Sequence, residues 1–256
     1  MSMNPYGPAE RPGLFDAEST RLEMVYTSVG FDDLLDITLP LNRGQGDTQI
    51  VVTSHEDKAT QLVARKHGAV LVVTDRFGFR GRKFNKGAAI NTGFARFQYH
   101  GWRMCLDGDI VLPPDFRQVL FNHTSLDRSC LYGCDRVDVV GLDELRTLRS
   151  RLEAMPQLAW HFLLDPSHHR PVGGRIVHSR EGYLPIGCFQ LWNASQQREY
   201  PHSLGSAEHD DLAFAMTWPE ARRRLLPTAF VYHLCARTPA LGENWDGHRK
   251  QPRIRK

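Results

Sequence analysis

The feature that most narrows what this chain can fold into is an alternation of short apolar runs and amphipathic stretches across residues 23–74. Residues 23–29 (Glu-Met-Val-Tyr-Thr-Ser-Val) read as a strand that leaves through Gly30. Residues 31–41 place Phe31, Leu34, Leu35, Ile37 and Leu39 at helical spacing, with Asp32 and Asp33 in the first turn, where the helix dipole favours acids. Residues 48–53 form a second apolar run, 58–67 a second helix stopped by Gly68, and 69–74 a third run. This β-α-β-α-β order predicts an α/β fold with a mostly parallel central sheet, right-handed crossovers and flanking helices. A helix over 84–99 and a strand over 104–109 continue the pattern. Ligands on such sheets collect beyond the carboxyl ends of the strands. Thr27-Ser28, residues 54–57, the loop after Asp75 and the acids of 107–109 all fall there.

The stretch 102–113, Trp-Arg-Met-Cys-Leu-Asp-Gly-Asp-Ile-Val-Leu-Pro, holds two carboxylates between apolar flanks. In extended backbone Asp107 and Asp109, two apart, point to one side, and Gly108 lets a bulky group approach. Two hard oxygen donors at a strand end suit Mg²⁺ or Mn²⁺, which keep positions open for phosphate. Asp-Gly-Asp is also common turn chemistry, and its seat between two core-type runs argues for the metal reading.

The loop 76–87 carries Arg76, Arg80, Arg82, Lys83 and Lys86 among glycines and aromatic residues and runs into a helix start. That is a reasonable diphosphate cradle, the alternative being a solvated basic loop. It is neither a Walker loop nor a Gly-x-Gly-x-x-Gly turn.

Further on, residues 131–140 read as a strand, 142–155 as a helix, 166–174 as an irregular loop whose His168-His169 pair is left on the surface, and 187–192 as a short apolar strand. Ser206 is a plausible N-cap for a helix opening with Glu208, His209, Asp210 and Asp211, and acids are favoured there whatever their function. His233 falls near the end of a last strand, 229–234, available as an imidazole ligand.

At 256 residues the chain is one large domain or two small ones, long enough to bury a proper core. The expected division is a flexible leader at 1–22, a single domain at 23–240 and a basic tail at 241–256. The leader lacks the basic-then-apolar order of a signal peptide, and no apolar run approaches the roughly 18 residues of a membrane span. Five scattered cysteines suit reduced thiols in a cytoplasmic protein. Residues 247–256 carry Arg249, Lys250, Arg253, Arg255 and Lys256 without an acid, so the overall charge of +3 leaves the rest of the chain at −2. Such a tail is either a solvated terminus or a handle for an anionic partner such as nucleic acid.

Taken together, residues 84–94 (Phe-Asn-Lys-Gly-Ala-Ala-Ile-Asn-Thr-Gly-Phe) and 106–113 (Leu-Asp-Gly-Asp-Ile-Val-Leu-Pro) resemble the paired motifs of β-1,4-galactosyltransferases, within the GT-A glycosyltransferases. The Asp-x-Asp pair, the acidic helix start and the late histidine follow in the order seen across that Rossmann-like fold. The resemblance spans about residues 23–234. It implies a nucleotide-sugar donor, a UDP-sugar above others, and Mn²⁺ or Mg²⁺ held by Asp107, Asp109 and His233, with Asp107 alternatively on the donor ribose. It further implies Arg80, Arg82, Lys83 and Lys86 on the diphosphate, Thr27, Asp57 and Phe84 near the nucleoside, and residues 187–192 under the sugar and acceptor. Inverting members use a carboxylate at the acidic helix start as general base. The usual Glu-Asp is replaced here by Glu208-His209-Asp210-Asp211, so Asp211 is expected as the base and Asp210 as the acceptor's orienting group; with Glu208 as the register mark, His209 would take the base position.

The implied activity is a metal-dependent hexosyl transfer to an acceptor hydroxyl, with inversion. The acceptor is a surface glycan, a lipid-linked sugar, a protein or a hydroxymethylated base in DNA. A retaining transferase, a nucleotidyltransferase and a non-catalytic sugar-nucleotide-binding module are the rivals.

Overall fold

The computed structural model describes residues 17–78, 84–122, 124–154, 178–179, 182–185, 188–201, 206–236, 249 and 252–254. Alternation along the first strands explains why helices cover both faces of the sheet. β1 (Leu22–Thr27) sends Leu22, Met24 and Tyr26 to one face and Val25 to the other. β2 (Thr48–Thr53) divides Val51 from Ile50 and Val52, and β4 (Trp102–Asp107) divides Met104 and Leu106 from Cys105. The first face packs on α1 (Asp32–Asn42) and α2 (Lys58–Lys66) through Leu34, Leu35, Leu39 and Ala64. The second packs on α3 (Lys86–Phe94) and α6 (Ala207–Ala215) through Ala89, Ile90, Phe214 and Ala215.

The remaining elements are β3 (Val70–Val73), β5 (Ile110–Val111), α4 (Phe116–Asn122), β6 (Leu131–Val140), α5 (Gly141–Ala154), β9 (Phe189–Asn193) and β10 (Arg223–Cys235), with a separate hairpin of β7 (His178–Ser179) and β8 (Gly182–Tyr183). The main sheet runs β3-β2-β1-β4-β9-β6-β10-β5. The pairs β3–β2, β2–β1, β1–β4 and β6–β10 are parallel, as the alternation predicts. β9 runs antiparallel between β4 and β6, and β5 antiparallel beside β10. Strands β4 and β5 are separated by two residues in the chain yet by three strands in the sheet order. The sheet therefore curls, bringing its far edge back to the carboxyl end of β4. No described helix is long and apolar enough to cross a membrane.

Several elements differ from the sequence reading: β10 begins at Arg223 rather than at 229, and α4 and the β7–β8 hairpin were not expected. The helix expected over 84–99 ends at Phe94, followed by a turn in which Arg96 N donates to Gly93 O. The strand expected over 104–109 stops at Asp107, because Gly108 and Asp109 turn toward β5.

Gly93 seats α3 on the sheet. A Cβ there would lie 2.6 Å from a methyl of Val52 and 2.7 Å from one of Val25. Gly93→Val is expected to destabilise by about 1–3 kcal/mol through overpacking, since valine's better helix propensity returns only a few tenths. Urea unfolding measures it, and an unchanged midpoint would mean that α3 does not rest on β1 and β2.

Candidate functional site

The Asp107-Gly108-Asp109 turn is held from behind by α1. Thr38 Oγ1 donates to Gly108 O at 2.8 Å, and Asn42 Nδ2 to Ile110 O at 2.8 Å, while Asn42 Oδ1 accepts from Leu112 N at 2.8 Å. From the sheet, Leu234 N donates to Asp109 O at 2.9 Å. Thr38 and Asn42, buried polar residues on an otherwise apolar helix face, satisfy three of these backbone groups, and Leu234 N satisfies the fourth. The two carboxylates thus share a turn rather than the side of an extended strand. Gly108 is not demanded by crowding, for a Cβ there would make ordinary contacts, 3.6 Å from Ser28.

Lys86 is the centre of the arrangement. Asn85 caps α3 by accepting from Ala88 N at 2.9 Å, which sets the first helical residue, Lys86, at the carboxyl edge of the sheet. Its Nζ lies 2.7 Å from Asp107 Oδ1 and 3.2 Å from both carboxylate oxygens of Asp211. Lys86 is 5 % exposed and Asp211 3 %. Burial works against the ammonium charge, but Asp107 and Asp211 hold Lys86 well above its ordinary value. Burial pushes the Asp211 carboxyl up to about 7; Lys86 opposes that shift, while Asp107 and Asp210 add to it.

Asp210 sits in the same cluster with a different partner. Its Oδ2 accepts from Gly87 N at 2.8 Å, so a residue of α6 caps the start of α3. Gly87 has no room for a side chain: a Cβ would be 2.9 Å from Pro201 O and 3.1 Å from Tyr200 Cβ. The two helices dock through this contact and through Tyr200 and Phe214, stacked at 4.0 Å. Gln190 of β9 completes the floor, donating to Pro185 O and to Asp211 O and accepting from Tyr200 OH.

On the other side of the turn, His233 Nε2 is 3.3 Å from Asp109 Oδ2, and its Nδ1 is 2.8 Å from Asp138 Oδ1. Burial alone would lower the His233 value, yet Asp109 and then Asp138 raise it well above the ordinary range. Burial would lift the Asp109 carboxyl, but His233 beside it holds it below the usual range. Asp109 Oδ1 is buried without a hydrogen-bond partner. An unsatisfied hard oxygen beside an imidazole nitrogen fits a divalent ion.

Asp107, Asp109, Lys86, Asp210, Asp211 and His233 therefore gather around one turn. Thr27 stands beside Asp107 in the parallel register of β1 and β4. Phe84 packs on Phe77, ring centroids 6.4 Å apart, at the edge of the second core. Asp57 has both oxygens engaged: Oδ1 accepts from Thr60 N, while Oδ2 accepts from Thr60 Oγ1 and Gly30 N, each at 2.6 Å. It caps α2 and ties it to the exit of β1. His209 is exposed. Arg80, Arg82 and Lys83, Gly187 and the His168-His169 pair lie outside the described residues. Sequence reasoning missed Thr38, Asn42, Asp138 and Gln190. The available signal was a polar group at positions whose periodicity calls for an apolar one.

The basic tail is docked where it is described. Arg249 pairs with Asp33 through both guanidinium nitrogens and lies 5.0 Å from the Phe31 ring, Arg253 pairs with Asp32, and Ile254 is buried in the first core. Its acid partners open α1, beside the exit of β1. A purely solvated terminus does not describe these residues.

No protein-family model matches the sequence, and no curated protein sequence matches it. Similar solved structures include glucosyl-3-phosphoglycerate synthase from Mycobacterium tuberculosis in complex with Mn²⁺, UDP and glucosyl-3-phosphoglycerate, at 16 % identity over 88 % of this chain and 78 % of that one, with a TM-score of 0.48. The same enzyme with Mg²⁺ and UDP gives 16 % identity over 89 % and 77 %, TM-score 0.49. With Mn²⁺, UDP-glucose and glycerol 3-phosphate it gives 15 % over 97 % and 80 %, TM-score 0.48. At identities and scores this low, the likeness carries no information on substrate or reaction.

Proposed function

We propose that this chain is a GT-A-type glycosyltransferase that moves a sugar from a nucleotide-sugar, a UDP-sugar above others, to an acceptor hydroxyl with inversion at the anomeric carbon. One observation carries the reading: Lys86 bridges Asp107 of the Asp-Gly-Asp turn to Asp211 of the acidic helix start, two carboxylates drawn from distant segments. A solvated basic loop and a dipole-favoured acidic helix end would have no reason to meet in a buried cluster.

In this reading Asp109 and His233, with Asp107, hold Mn²⁺ or Mg²⁺. The bound ion supplies positive charge to a departing diphosphate. Lys86 has a second task beyond the phosphate contact expected of it, keeping Asp107 and Asp211 at fixed separation. Asp211 takes the proton of the acceptor hydroxyl, as its raised carboxyl suits a base working near neutrality. Asp210 Oδ2 accepts from Gly87 N while its Oδ1 has no partner, so Asp210 positions α3, and the raised carboxyl of Asp211 is what supports Asp211 as the base. The donor nucleoside lies over Thr27 and Phe84, and Arg80, Arg82 and Lys83 are the residues proposed to supply further positive charge to the diphosphate.

For the acceptor, a glycan hydroxyl is favoured over a hydroxymethylated DNA base. Two of the tail's cations, Arg249 and Arg253, are already paired with Asp33 and Asp32, so the tail offers less charge to nucleic acid than its composition implies.

The test is incubation with a panel of labelled nucleotide sugars, Mn²⁺ and simple glycan acceptors, reading released UDP and product. Asp109→Ala is expected to lower transfer by more than about 100-fold, above the loss typical for a group that only supports a metal ligand. Full transfer by Asp109→Ala in the presence of EDTA would remove the metal from the reaction. Pyrophosphate release from a nucleoside triphosphate would make the chain a nucleotidyltransferase, and binding of every donor without turnover would make it a binding module.

A further inference from the structure

We propose that Asp138 is a positioning residue that fixes the tautomer of His233 and so aims its Nε2 lone pair at the Asp109 side. The inference rests on the sugar-transfer reading only for what that nitrogen serves. Asp138 and His233 are register partners on the parallel strands β6 and β10, so the imidazole lies between a carboxylate on each edge. Nδ1 is 2.8 Å from Asp138 Oδ1, and Nε2 is 3.3 Å from Asp109 Oδ2. Arg136 Nε lies 3.3 Å from the same Asp138 oxygen, placing a cation against that carboxylate. A carboxylate accepts and does not donate, so each ring nitrogen faces an acceptor, and the shorter contact, 2.8 Å against 3.3 Å, marks Nδ1 as the nitrogen that keeps its hydrogen when the ring becomes neutral.

The other neighbour of Nδ1 is Cys235. Its Sγ is 3.4 Å from Nδ1 and 3.6 Å from the His233 carbonyl oxygen. A thiol hydrogen directed at that carbonyl leaves sulfur facing Nδ1 as a weak acceptor, which again favours the proton on Nδ1. With Nδ1–H committed, the neutral ring presents its lone pair at Nε2. Metal-binding histidines depend on such an outer carboxylate for ring orientation and ligand strength. Without Asp138 the proton can settle on Nε2 and donate to Asp109, leaving no lone pair where the ligand atom is needed.

Asp138 Oδ1, His233 Nδ1 and Cys235 Sγ also lie within 4.8 Å of one another, so a thiophilic ion is the competing reading of the same three groups. The experiment separates them. Imidazole ¹⁵N spectra of the apo protein, recorded above the pH at which the ring loses its second proton, are assigned by comparison with His233→Gln. The wild-type ring is expected as the Nδ1–H tautomer, and Asp138→Ala is expected to lose that preference. Mn²⁺ affinity, read by EPR of the free ion, should weaken by about 10–100-fold in Asp138→Ala. Asp138→Asn keeps an accepting oxygen and should keep the tautomer and most of the affinity. An Nε2–H tautomer in the wild-type protein overturns the proposal without reference to any variant. So does a folded Asp138→Ala with unchanged tautomer and Mn²⁺ affinity, or a Cd²⁺–thiolate charge-transfer band that disappears in Cys235→Ser. Absence of Mn²⁺ binding by the wild-type protein would instead sink the sugar-transfer reading, while the imidazole spectrum still decides the part played by Asp138.

Discussion

Asp211→Asn is expected to slow transfer by about 10²–10⁴ while UDP binds as in the wild type. Asparagine keeps the size and can still meet Lys86 through its amide oxygen, so the cluster survives and the base is lost. Single-turnover transfer and calorimetric titration with UDP measure the two halves separately. A parallel loss of UDP affinity would instead place Asp211 in donor binding. The pH dependence follows from the same side chain. Burial pushes its carboxyl up to about 7, with Lys86 opposing and Asp107 and Asp210 reinforcing the shift. A general base works only when ionised, so transfer should rise as pH increases through about 7 and level off above it. A rate flat across neutrality would leave Asp211 without that task.

Lys86→Met is expected to destabilise the fold by about 3–5 kcal/mol at alkaline pH, the usual consequence of leaving one member of a buried pair without its partner. The ammonium is 5 % exposed and serves two carboxylates, of which Asp211 is buried and Asp107 about one-third exposed. Asp211 has a folded value above its ordinary one, so the folded state retains a proton that the unfolded chain releases. Its contribution is then most favourable below the unfolded value and is lost as pH rises toward the folded value. Removing Lys86 raises the folded value further, because its charge is the main influence lowering it. The gap between variant and wild type should therefore widen from acid to alkaline pH in urea unfolding. A gap under about 1 kcal/mol at both ends would mean that the bridge is screened by water like a surface pair.

Much of the first half of the fold was legible because its signals are local. Strands β1, β2 and β3 all lie within two residues of the expected bounds, the largest difference being the exit of β1 at Thr27. Apolar runs and the positive φ of Gly30 and Gly68, the glycines expected to end a strand and a helix, each act within a few residues. The parallel order followed, since short helical crossovers permit little else. The 104–109 segment misled because an apolar run and an Asp-Gly-Asp turn look alike until one knows that the next strand pairs at the far edge of the sheet. The antiparallel pairing of β9, itself expected as a strand at 187–192, and the short β5 could not be read for the same reason: a strand's partner is chosen by the shape of the whole sheet.

By itself, the sequence determined which residue types stand at the carboxyl ends of the strands: the acids at 107 and 109, the lysine at the start of α3, the acids opening α6 and the histidine late in β10. Only the tertiary structure decided their partners. Lys86 meets Asp211 across 125 residues of chain, Asp210 caps a helix other than its own, and Asp138 backs His233 from the neighbouring strand. Periodicity and capping are short-range and can be read along the chain, whereas a buried charge takes whatever opposite charge the packed sheet and helices bring within reach, and that distance exists only once the core has closed.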